Sequence, residues 1–526
     1  MKTRAWFVFG IFMVVVIIVI IRITSLVVSS SAEKSESDFT GNRGPIYDRN
    51  GNVLAISYKT FSLWADASIL SDYEKKFISS LVSEYLGVDK KSLMDRLSKN
   101  SRFVWLARKV SEDKAKIVVK ITNEFETKFG KKGIRITEEY IRRYPLYEKS
   151  STVVGAVNLD NRGISGFEYS LDDVLIEKNG GYGKVYLTID KYIQEITYLE
   201  LAKSVRDFEA ELGMAVFSKR NGEILSIVDY PSFDPNNLKV IPFNSRVASY
   251  IIEPGSVMKL STVSIALMEF PEISKNIYNC GGSITVFGHT IREQSHGDVS
   301  LSEIIAYSCN VGMLKIVERL DDEKLYFFLR KMGFGDKTSV GLPGEERGIL
   351  RPFNEWSGLS KYMLSIGQEI GVTGLQLLRL GLTIANDGKV VDPRLVKEVI
   401  LPDGSVKEVG KFSSTSVIPY EVIRKVKMYA RDSVVYGTGK LANIPGLEVG
   451  GKTGTGQIYN PQGGYYKDQY NAVFLGLVPY NNTQLIGVVI LVNPQRLKQG
   501  GASSAPTFKR IVEKIVSYNP KIIQTQ

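Results

Sequence analysis

Three short polar motifs follow one another between positions 256 and 455 of this chain. They are Ser256-Val257-Met258-Lys259, Ser308-Cys309-Asn310 and Lys452-Thr453-Gly454-Thr455. A serine three residues before a lysine, followed by a second serine and a second lysine, suits acyl transfer with a lysine as the base. Because a chain of this length contains roughly two Ser-x-x-Lys matches by chance, the hypothesis depends on finding all three motifs in order.

The first motif has the spacing that a nucleophile and its base require. Residues i and i+3 of a helix share a face, so Ser256 and Lys259 point together. Lys259 accepts a proton only when it is neutral, which requires a pKa lowered by burial or by a second cation. The preceding Glu253-Pro254-Gly255 indicates a loop leading into a helix, where serine is favoured as an N-cap. A plain N-cap is therefore the alternative interpretation.

The second motif places a hydroxyl and an amide two residues apart. In an extended segment or a tight turn, both Ser308 and Asn310 can reach one cavity. The hydroxyl can relay a proton to a leaving amine, and the amide can hold Lys259 and bind a substrate backbone. The alternative is an ordinary helix-capping pair.

The third motif suits the binding of a carboxylate and of an extended peptide. Lysine and threonine side chains can bind the carboxylate, and Gly454 lets a peptide lie against a strand edge. A Gly-rich turn with a solvated lysine is the alternative. Residues 446–453 also match the phosphate-loop pattern. The residues after Thr453 cannot begin a good helix, however, so we expect no nucleotide site.

Composition restricts the other classes of function. The 526 residues carry a net charge of +11, which suits anionic partners such as phospholipid head groups, an anionic wall polymer or nucleic acid. No nucleic-acid motif is present. The two cysteines and two histidines have no zinc-ligand spacing, so we expect no metal and no cofactor. A Ser-His-Asp hydrolase would have only His289 and His296 to draw on, with no nucleophile-elbow serine.

The N-terminal segment predicts a membrane anchor. Residues 5–21 are uncharged and nearly all apolar, and residues 23–28 continue the run after Arg22. Together they can cross a bilayer, and Lys2 and Arg4 place the N-terminus in the cytoplasm. A cleaved signal peptide, with Ser30-Ser31-Ala32 as a weak cleavage site, is the alternative.

The remaining patterns predict an α+β fold. Residues 29–40 have the composition of a flexible linker, and residues 70–130 have helix-like patterns. Asn221-Gly222 joins two apolar strands as a hairpin. Two further strands, at 472–478 and 485–492, precede a closing amphipathic helix that carries Phe508. This order of elements predicts a sheet that is covered by the terminal helices.

Several stretches resemble those of the class B penicillin-binding proteins, most closely the cell-division type. The resemblance covers almost everything after the linker. Apart from the three motifs, it is carried by Arg43-Gly44-Pro45-Ile46-Tyr47-Asp48-Arg49-Asn50-Gly51, Arg143-Tyr144-Pro145, Gly163-Ile164-Ser165-Gly166-Phe167-Glu168, Pro231-Ser232-Phe233-Asp234-Pro235-Asn236, Glu253-Pro254-Gly255-Ser256, Ser365-Ile366-Gly367-Gln368 and Val434-Val435-Tyr436-Gly437-Thr438-Gly439.

The resemblance implies a peptidoglycan D,D-transpeptidase that works through a serine acyl-enzyme, is inhibited covalently by β-lactams and acts in septal wall synthesis. Its catalytic residues would be Ser256 as nucleophile, Lys259 as base, Ser308, Asn310 and Lys452. Thr453, Gly454 and Thr455 would bind the donor stem peptide, and the backbone N–H groups of Ser256 and Thr455 would form the oxyanion hole.

The resemblance also implies the layout and surroundings of the chain. It predicts a cytoplasmic tail at 1–4, a transmembrane helix at 5–28, a linker at 29–40, a pedestal domain at 41–184 and a transpeptidase domain at 185–526. The transpeptidase domain would pair an antiparallel sheet covered by helices with an all-helical subdomain, outside the bacterial cytoplasmic membrane. The implied partners are a polytopic (SEDS-type) glycosyltransferase and divisome or elongasome proteins.

Two details depart from the family pattern or are left open by it. Gly456 stands where alanine is usual, and its flexibility predicts a looser strand end. Cys309 fills the variable position of the second motif. It can pair with Cys280 in an oxidising compartment, but we favour a free buried thiol.

Two rival functions remain at this level. A membrane-anchored β-lactamase or β-lactam sensor on the same fold would need a group that activates water, and a pedestal argues against it. A scaffold with a degraded site is disfavoured because every catalytic side chain is present.

Overall fold

The computed structural model describes residues 41–177, 181–407 and 414–524. The described residues form two compact units, a smaller one that contains Lys59–Tyr140 and a larger one that contains Asn42–Tyr58 and the described residues from Ile141 onward. The predicted transmembrane helix at 5–28 and the linker at 29–40 lie outside the described residues. Within the described ranges, no helix combines the length and apolar character needed to span a bilayer.

The smaller unit packs helices on a short sheet. Ser71 and Glu74 form a capping box that begins the first helix, and Gly87 ends it with φ +72°. The helical pattern predicted for 70–130 is confirmed, but a strand interrupts it and pairs with the strand before the helices. The helices are Asp72–Leu86, Lys90–Leu97 and Ala115–Phe129, with the 3-10 turns Ala67–Ile69 and Glu112–Lys114. The strands are Val104–Val110 and parts of Val53–Ala65 and Ile134–Arg143, since the first residues of Val53–Ala65 and the last residues of Ile134–Arg143 belong to the larger unit.

The larger unit begins with a buried ion network that joins two of the stretches that carry the family resemblance. Arg43 and Glu168 are both fully buried and lie 2.8 Å apart, and Arg142 donates to the other oxygen of Glu168 at 2.7 Å. Two guanidinium groups therefore share one buried carboxylate, an arrangement that is tolerated only when the charges compensate one another. Beside this network, Ile46–Tyr47 pairs in parallel with Lys184–Leu187, which pairs with Val396–Ile400.

A five-stranded antiparallel sheet forms the centre of the larger unit. The predicted hairpin is confirmed, and Gly222 closes its turn with φ +82°. The last three strands of the chain extend the sheet. The order across the sheet is Gly450–Tyr459, Tyr465–Val478, Leu485–Val492, Leu212–Lys219 and Ile224–Tyr230. The strand Gly450–Tyr459, called the edge strand below, thus has one side without a strand partner among the described residues.

Helices bury both faces of this sheet, as the sequence predicts. On one face Phe508 of the last helix stacks on Phe217 and contacts Phe474, with ring centroids 5.7 and 5.0 Å apart. Asp190 caps a second helix on this face, accepting N–H bonds from two residues of its first turn. The helices Lys191–Asp207 and Ser504–Tyr518 cover this face, and Lys259–Glu269, Gly374–Ala385 and Tyr420–Val435 lie on the other.

The region between positions 259 and 385 corrects two predictions. It is not purely helical, because Ile277–Cys280 pairs with Gly297–Ser300 and Ser283–Val286 pairs with His289–Arg292. Cys280 and Cys309 form a disulfide, so the free thiol favoured from the sequence is wrong. The two sulfurs meet because the chain between them folds back as these short strands, which sequence spacing does not reveal.

The remaining elements of the larger unit connect these parts. They are the helices Ser151–Val154, Gly166–Ser170, Asp172–Leu175, Arg246–Ser249, Leu301–Tyr307, Asn310–Val317, Asp322–Lys331 and Ser360–Ser365, the 3-10 turns Tyr147–Ser150, Gly255–Met258, Pro271–Lys275, Phe353–Glu355, Lys440–Ala442 and Pro520–Ile523, and the strands Lys389–Val391, Val406–Lys407 and Ser414–Ser416.

Candidate active site

Ser256 lies in a 3-10 turn, Gly255–Met258, that runs directly into the helix Lys259–Glu269. The alternative interpretation of Ser256 as an N-cap is excluded, because Pro254 occupies the capping position and Ser256 is the second residue of the turn. Residues i and i+3 eclipse in a 3-10 helix, so Ser256 and Lys259 share a side as predicted. Ser256 is partly exposed, whereas its neighbours Val257 and Met258 are buried. The hydroxyl of Ser256 therefore makes no capping hydrogen bond, and the residue is accessible from solvent.

Lys259 is fully buried among hydrogen-bond acceptors of the second motif. Its Nζ donates to the carbonyl oxygen of Ser308 at 2.5 Å and to Oδ1 of Asn310 at 2.7 Å. Burial lowers the pKa of Lys259 to about 7, against an opposing effect from the carboxylate of Glu293. The lysine is thus poised to exchange its proton near neutral pH.

The second motif forms a tight turn between two helices. Leu301–Tyr307 ends at Ser308, which has φ +66°, and Asn310 begins the next helix. The helix cap is the sulfur of Cys309, which accepts the N–H of Gly312. The alternative that Ser308 and Asn310 are a capping pair is therefore excluded, and both side chains face the lysines.

Glu293 supports this turn from outside the three motifs. Its carboxylate accepts the backbone N–H of Asn310 at 2.8 Å and that of Val311 at 2.7 Å. One oxygen also lies 3.1 Å from Sγ of Cys309, a contact without a proton because the sulfur is in a disulfide. Glu293 was not predicted from the sequence, because an acidic residue between two short strands carries no local signal.

Cys280, Glu293 and Cys309 also have the spacing of metal ligands among the described residues. Metal-binding sulfur is thiolate, and the disulfide consumes both thiols. The residues present therefore do not fit a metal ion in the oxidised protein.

Lys452 lies within the edge strand and is fully buried, which excludes the solvated-lysine alternative. Its Nζ donates to Oγ of Ser308 at 3.0 Å, and Lys259 lies 3.5 Å from the same hydroxyl. The pKa of Lys452 lies well below its ordinary value, mainly because the side chain is buried and further because of the positive charge of Lys259. Ser308 thus links the two lysines. The chain after Thr453 continues as a strand, so the phosphate-loop geometry is absent from this described segment.

The two threonines of the third motif differ in setting. Thr453 is 6% exposed and shares a hydrogen bond of 2.7 Å with the hydroxyl of Thr438. Thr455 is exposed, and its hydroxyl accepts the N–H of Gly500 at 3.3 Å. A hydroxyl on the open side and a buried lysine behind it make this strand a place where a carboxylate can be held.

The edge strand and the segment before Ser256 pack backbone against backbone. A Cβ at Gly454 would lie 2.1 Å from the carbonyl oxygen of Pro254, and one at Gly456 would lie 1.9 Å from that of Glu253. The close approach brings the backbone of Thr455 beside Gly255, next to the serine. Gly456, which the sequence suggested would loosen the strand, is instead required by this contact.

Comparisons with protein families agree with this geometry. A family model described as the penicillin binding protein transpeptidase domain matches residues 213–513. A second model, described as the penicillin-binding protein dimerisation domain, matches residues 39–197.

Individual proteins match over most of the chain. Penicillin-binding protein PbpB of Mycolicibacterium smegmatis is 32% identical over 466 residues, which are 80% of this chain and 70% of that protein. Peptidoglycan D,D-transpeptidase FtsI of Escherichia coli is 29% identical over 511 residues, 90% of this chain and 82% of that one. The crystal structure of penicillin binding protein 3 (PBP3) from Mycobacterium tuberculosis, complexed with aztreonam, superposes with a TM-score of 0.72 at 26% identity, covering 91% of this chain and 96% of that chain. The matched models, these relatives and the lysine pair around a serine hydroxyl together place the chain in one family: it belongs to the class B penicillin-binding proteins.

Proposed function

We propose that this protein is a peptidoglycan D,D-transpeptidase that crosslinks stem peptides through an acyl-enzyme on Ser256. The observation that carries the proposal is the buried Lys259, with a pKa of about 7, held one turn from a partly exposed serine. A lysine in that state is a general base at physiological pH, and an ordinary surface lysine is not.

Acylation uses the residues in the following roles. Neutral Lys259 takes the proton from Oγ of Ser256, which attacks the carbonyl carbon of the penultimate D-Ala. The backbone N–H groups of Ser256 and Thr455 receive the developing oxyanion. When the C–N bond breaks, the terminal D-Ala leaves as an amine. The proton for that amine comes from Lys259 by way of the hydroxyl of Ser308, which is within reach of both lysines.

The carboxylate of the donor completes the charge balance. Two lysines buried in one site disfavour two positive charges. A carboxylate bound by Lys452, Thr453 and Thr455 compensates the charge of Lys452 and leaves Lys259 as the neutral partner. Asn310 keeps Lys259 in place through the contact of 2.7 Å. Gly454 offers no side chain, so the peptide lies along the free side of the edge strand.

Deacylation reverses these roles with a new nucleophile. The amine of a neighbouring stem peptide attacks the ester carbon, an amide bond forms and the bond to Ser256 breaks. The proton lost by the amine passes through Lys259 and returns to Oγ of Ser256. Atoms and charge balance without a cofactor.

The setting of this reaction in the cell is part of the proposal. The apolar run at 5–28 anchors the chain in the cytoplasmic membrane, with the N-terminus inside and the domains at 41–184 and 185–526 outside. The resemblance to the cell-division branch supports a role in septal wall synthesis, alongside a polytopic glycosyltransferase and other division proteins. β-Lactams, which mimic the donor, would acylate Ser256.

Intact-mass spectrometry tests the proposal directly. Wild-type protein and the Ser256→Ala variant are incubated with benzylpenicillin, and the mass is followed over hours. We expect a long-lived adduct of one drug molecule in the wild type and none in the variant. An adduct that disappears as the drug is hydrolysed would instead indicate a β-lactamase. Absence of any adduct would refute the proposed nucleophile.

A further inference from the structure

Three aromatic side chains lie together beside the second motif. Tyr307, directly before Ser308, stacks on His296 with ring centroids 5.3 Å apart and an interplanar angle of 17°. Its other neighbour is Tyr436, whose ring meets it edge-on at 5.9 Å. All three residues are half-buried, so part of each ring faces solvent. His296, Tyr307 and Tyr436 are called the ring cluster below.

Backbone contacts hold the ring cluster against the turn of the second motif. The N–H of Thr438 donates to the carbonyl oxygen of Ala306 at 2.9 Å. A Cβ at Gly437 would lie 2.1 Å from the same oxygen, so the two backbones are in direct contact. The segment that carries Tyr436 is therefore fixed on the helix that ends at Ser308.

The same segment also reaches the edge strand. The exposed Thr438 shares a hydrogen bond of 2.7 Å with the hydroxyl of Thr453. Tyr436 is two residues from Thr438, which is at most about 7 Å along the chain. In the proposed reaction the terminal D-Ala lies against Thr453 through its carboxylate. The ring cluster therefore lies beyond the position that this D-Ala vacates.

The acceptor nitrogen must occupy the position that the leaving nitrogen vacates. Both nitrogens exchange a proton through Ser308 and Lys259, whose Oγ and Nζ lie 3.5 Å apart, so one position serves both steps. The acylated donor still occupies the edge strand at this stage. The chain that carries the acceptor nitrogen therefore extends the other way, over Thr438 and toward the rings.

Two carboxylates make the surroundings of Tyr436 negative. Asp432 accepts the hydroxyl of Ser302, and Glu303 accepts the N–H and the hydroxyl of Ser300. Neither carboxylate has an ion pair within the described ranges. Burial raises the pKa of the Tyr436 phenol; a hydrogen bond with Ser302 opposes the rise, and the charges of both carboxylates add to it. An incoming ammonium is attracted by these charges and by the ring faces.

Given the proposed function, on which this inference rests, we propose that the ring cluster binds the alkyl chain of the acceptor's amine-bearing residue. Tyr307 and Tyr436 contact its methylene groups, and Asp432 attracts its ammonium on entry. The ammonium loses one proton to solvent before the attack. Its second proton passes through Lys259 to Oγ of Ser256 as the amide bond forms and the ester bond breaks, so atoms and charge balance. The site thus favours primary amines on long alkyl chains over short ones.

A competition between two amines tests this on the full-length protein. The acyl-enzyme is formed from a benzoyl-D-alanyl thioester in the presence of equal concentrations of ethylamine and n-pentylamine. These amines have nearly the same basicity and differ only in chain length. Mass spectrometry measures the two amides, and Ser256→Ala gives the uncatalysed background. We expect about tenfold more pentyl than ethyl amide, since each half-buried methylene contributes a factor of about two.

Variants separate a contact with the rings from a general loss of activity. Tyr436→Ala should bring the ratio of the two amides close to one, and Tyr436→Phe should retain the ratio because the ring face remains. Tyr192→Ala is the matched control and should also retain it. Tyr192 pairs with Tyr518 at 5.4 Å, on the helix that covers the opposite face of the sheet. Asp432→Asn should lower the yields of both amides alike, by about threefold, without changing their ratio.

The outcomes distinguish the acceptor subsite from the function on which it rests. With an acyl adduct on Ser256, a ratio near one in the wild type, or transfer to neither amine, would overturn the subsite alone. A ratio that Tyr436→Ala leaves unchanged would overturn it as well. Equal yields in the wild type and Asp432→Asn would overturn the role of that carboxylate. Failure of the thioester to acylate Ser256 would overturn the proposed function and this inference together.

Discussion

The rate of acylation should report the protonation of Lys259. Only the neutral lysine can take the proton of Ser256, so raising the pH through the pKa of Lys259 should raise the rate. The second-order constant of acylation reflects groups of the free enzyme. The experiment varies the pH between about 5.5 and about 9 and measures the second-order constant with which a penicillin acylates the full-length protein.

The structure sets the size of the effect. With a pKa of about 7 for Lys259, the neutral fraction rises from roughly a tenth at pH 6 to roughly nine tenths at pH 8, so the constant should rise about tenfold and then level off. A lysine at its ordinary value of 10.5 would give about a hundredfold rise over the same interval with no plateau.

Glu293 provides a second perturbation of the same quantity. Its carboxylate raises the pKa of Lys259, so Glu293→Gln should move the midpoint of the profile to lower pH. The plateau at high pH is the internal control, because it reports the placement of Asn310 and not the charge. Stopped-flow fluorescence with a chromogenic or fluorescent penicillin gives both values.

Two results would refute this reasoning. A profile without a plateau up to pH 9 would mean that burial does not lower the pKa of Lys259 as described. A Glu293→Gln variant whose plateau falls while its midpoint stays fixed would show that Glu293 acts only by holding the turn.

Two further predictions concern stability and are checked by urea denaturation. Replacing both Cys280 and Cys309 by serine opens a loop with a sequence separation of 29. The double variant should lose about 3.5 kcal/mol by the chain-entropy relation, and an unchanged midpoint would mean that the crosslink is not formed. Glu168→Gln leaves the buried Arg43 and Arg142 without their shared counter-charge. It should cost about 3–5 kcal/mol, and a loss as small as that of an exposed pair would contradict the described burial.

Local spacing was enough to predict that polar side chains of the three motifs lie together. The serine and lysine of the first motif lie one turn apart. In the second and third motifs the polar residues are adjacent or two positions apart, so their proximity does not depend on how distant segments pack. The hairpin at Asn221-Gly222 was predictable for the same reason, since a tight turn is a property of a few consecutive residues.

Features that depend on distant parts of the chain were not predictable. The role of Glu293 arises because a short strand pair brings it beneath the turn at Asn310, and the disulfide forms for the same reason. The sequence also did not exclude an N-cap role for Ser256, which the structure excludes because a 3-10 turn begins at Gly255 with Pro254 at its capping position. The requirement for Gly456 arises from the carbonyl oxygen of Glu253, more than two hundred positions away in the chain.

The close packing of the edge strand on the segment before Ser256 restricts how resistance to β-lactams could evolve. A Cβ added at Gly454 would lie 2.1 Å from the carbonyl oxygen of Pro254, so the segment that leads into Ser256 would have to move. Such a change would affect drug and natural donor alike, because both require the same nucleophile position. Selection for discrimination would therefore be directed away from Gly454 and toward side chains that line the approach to the serine.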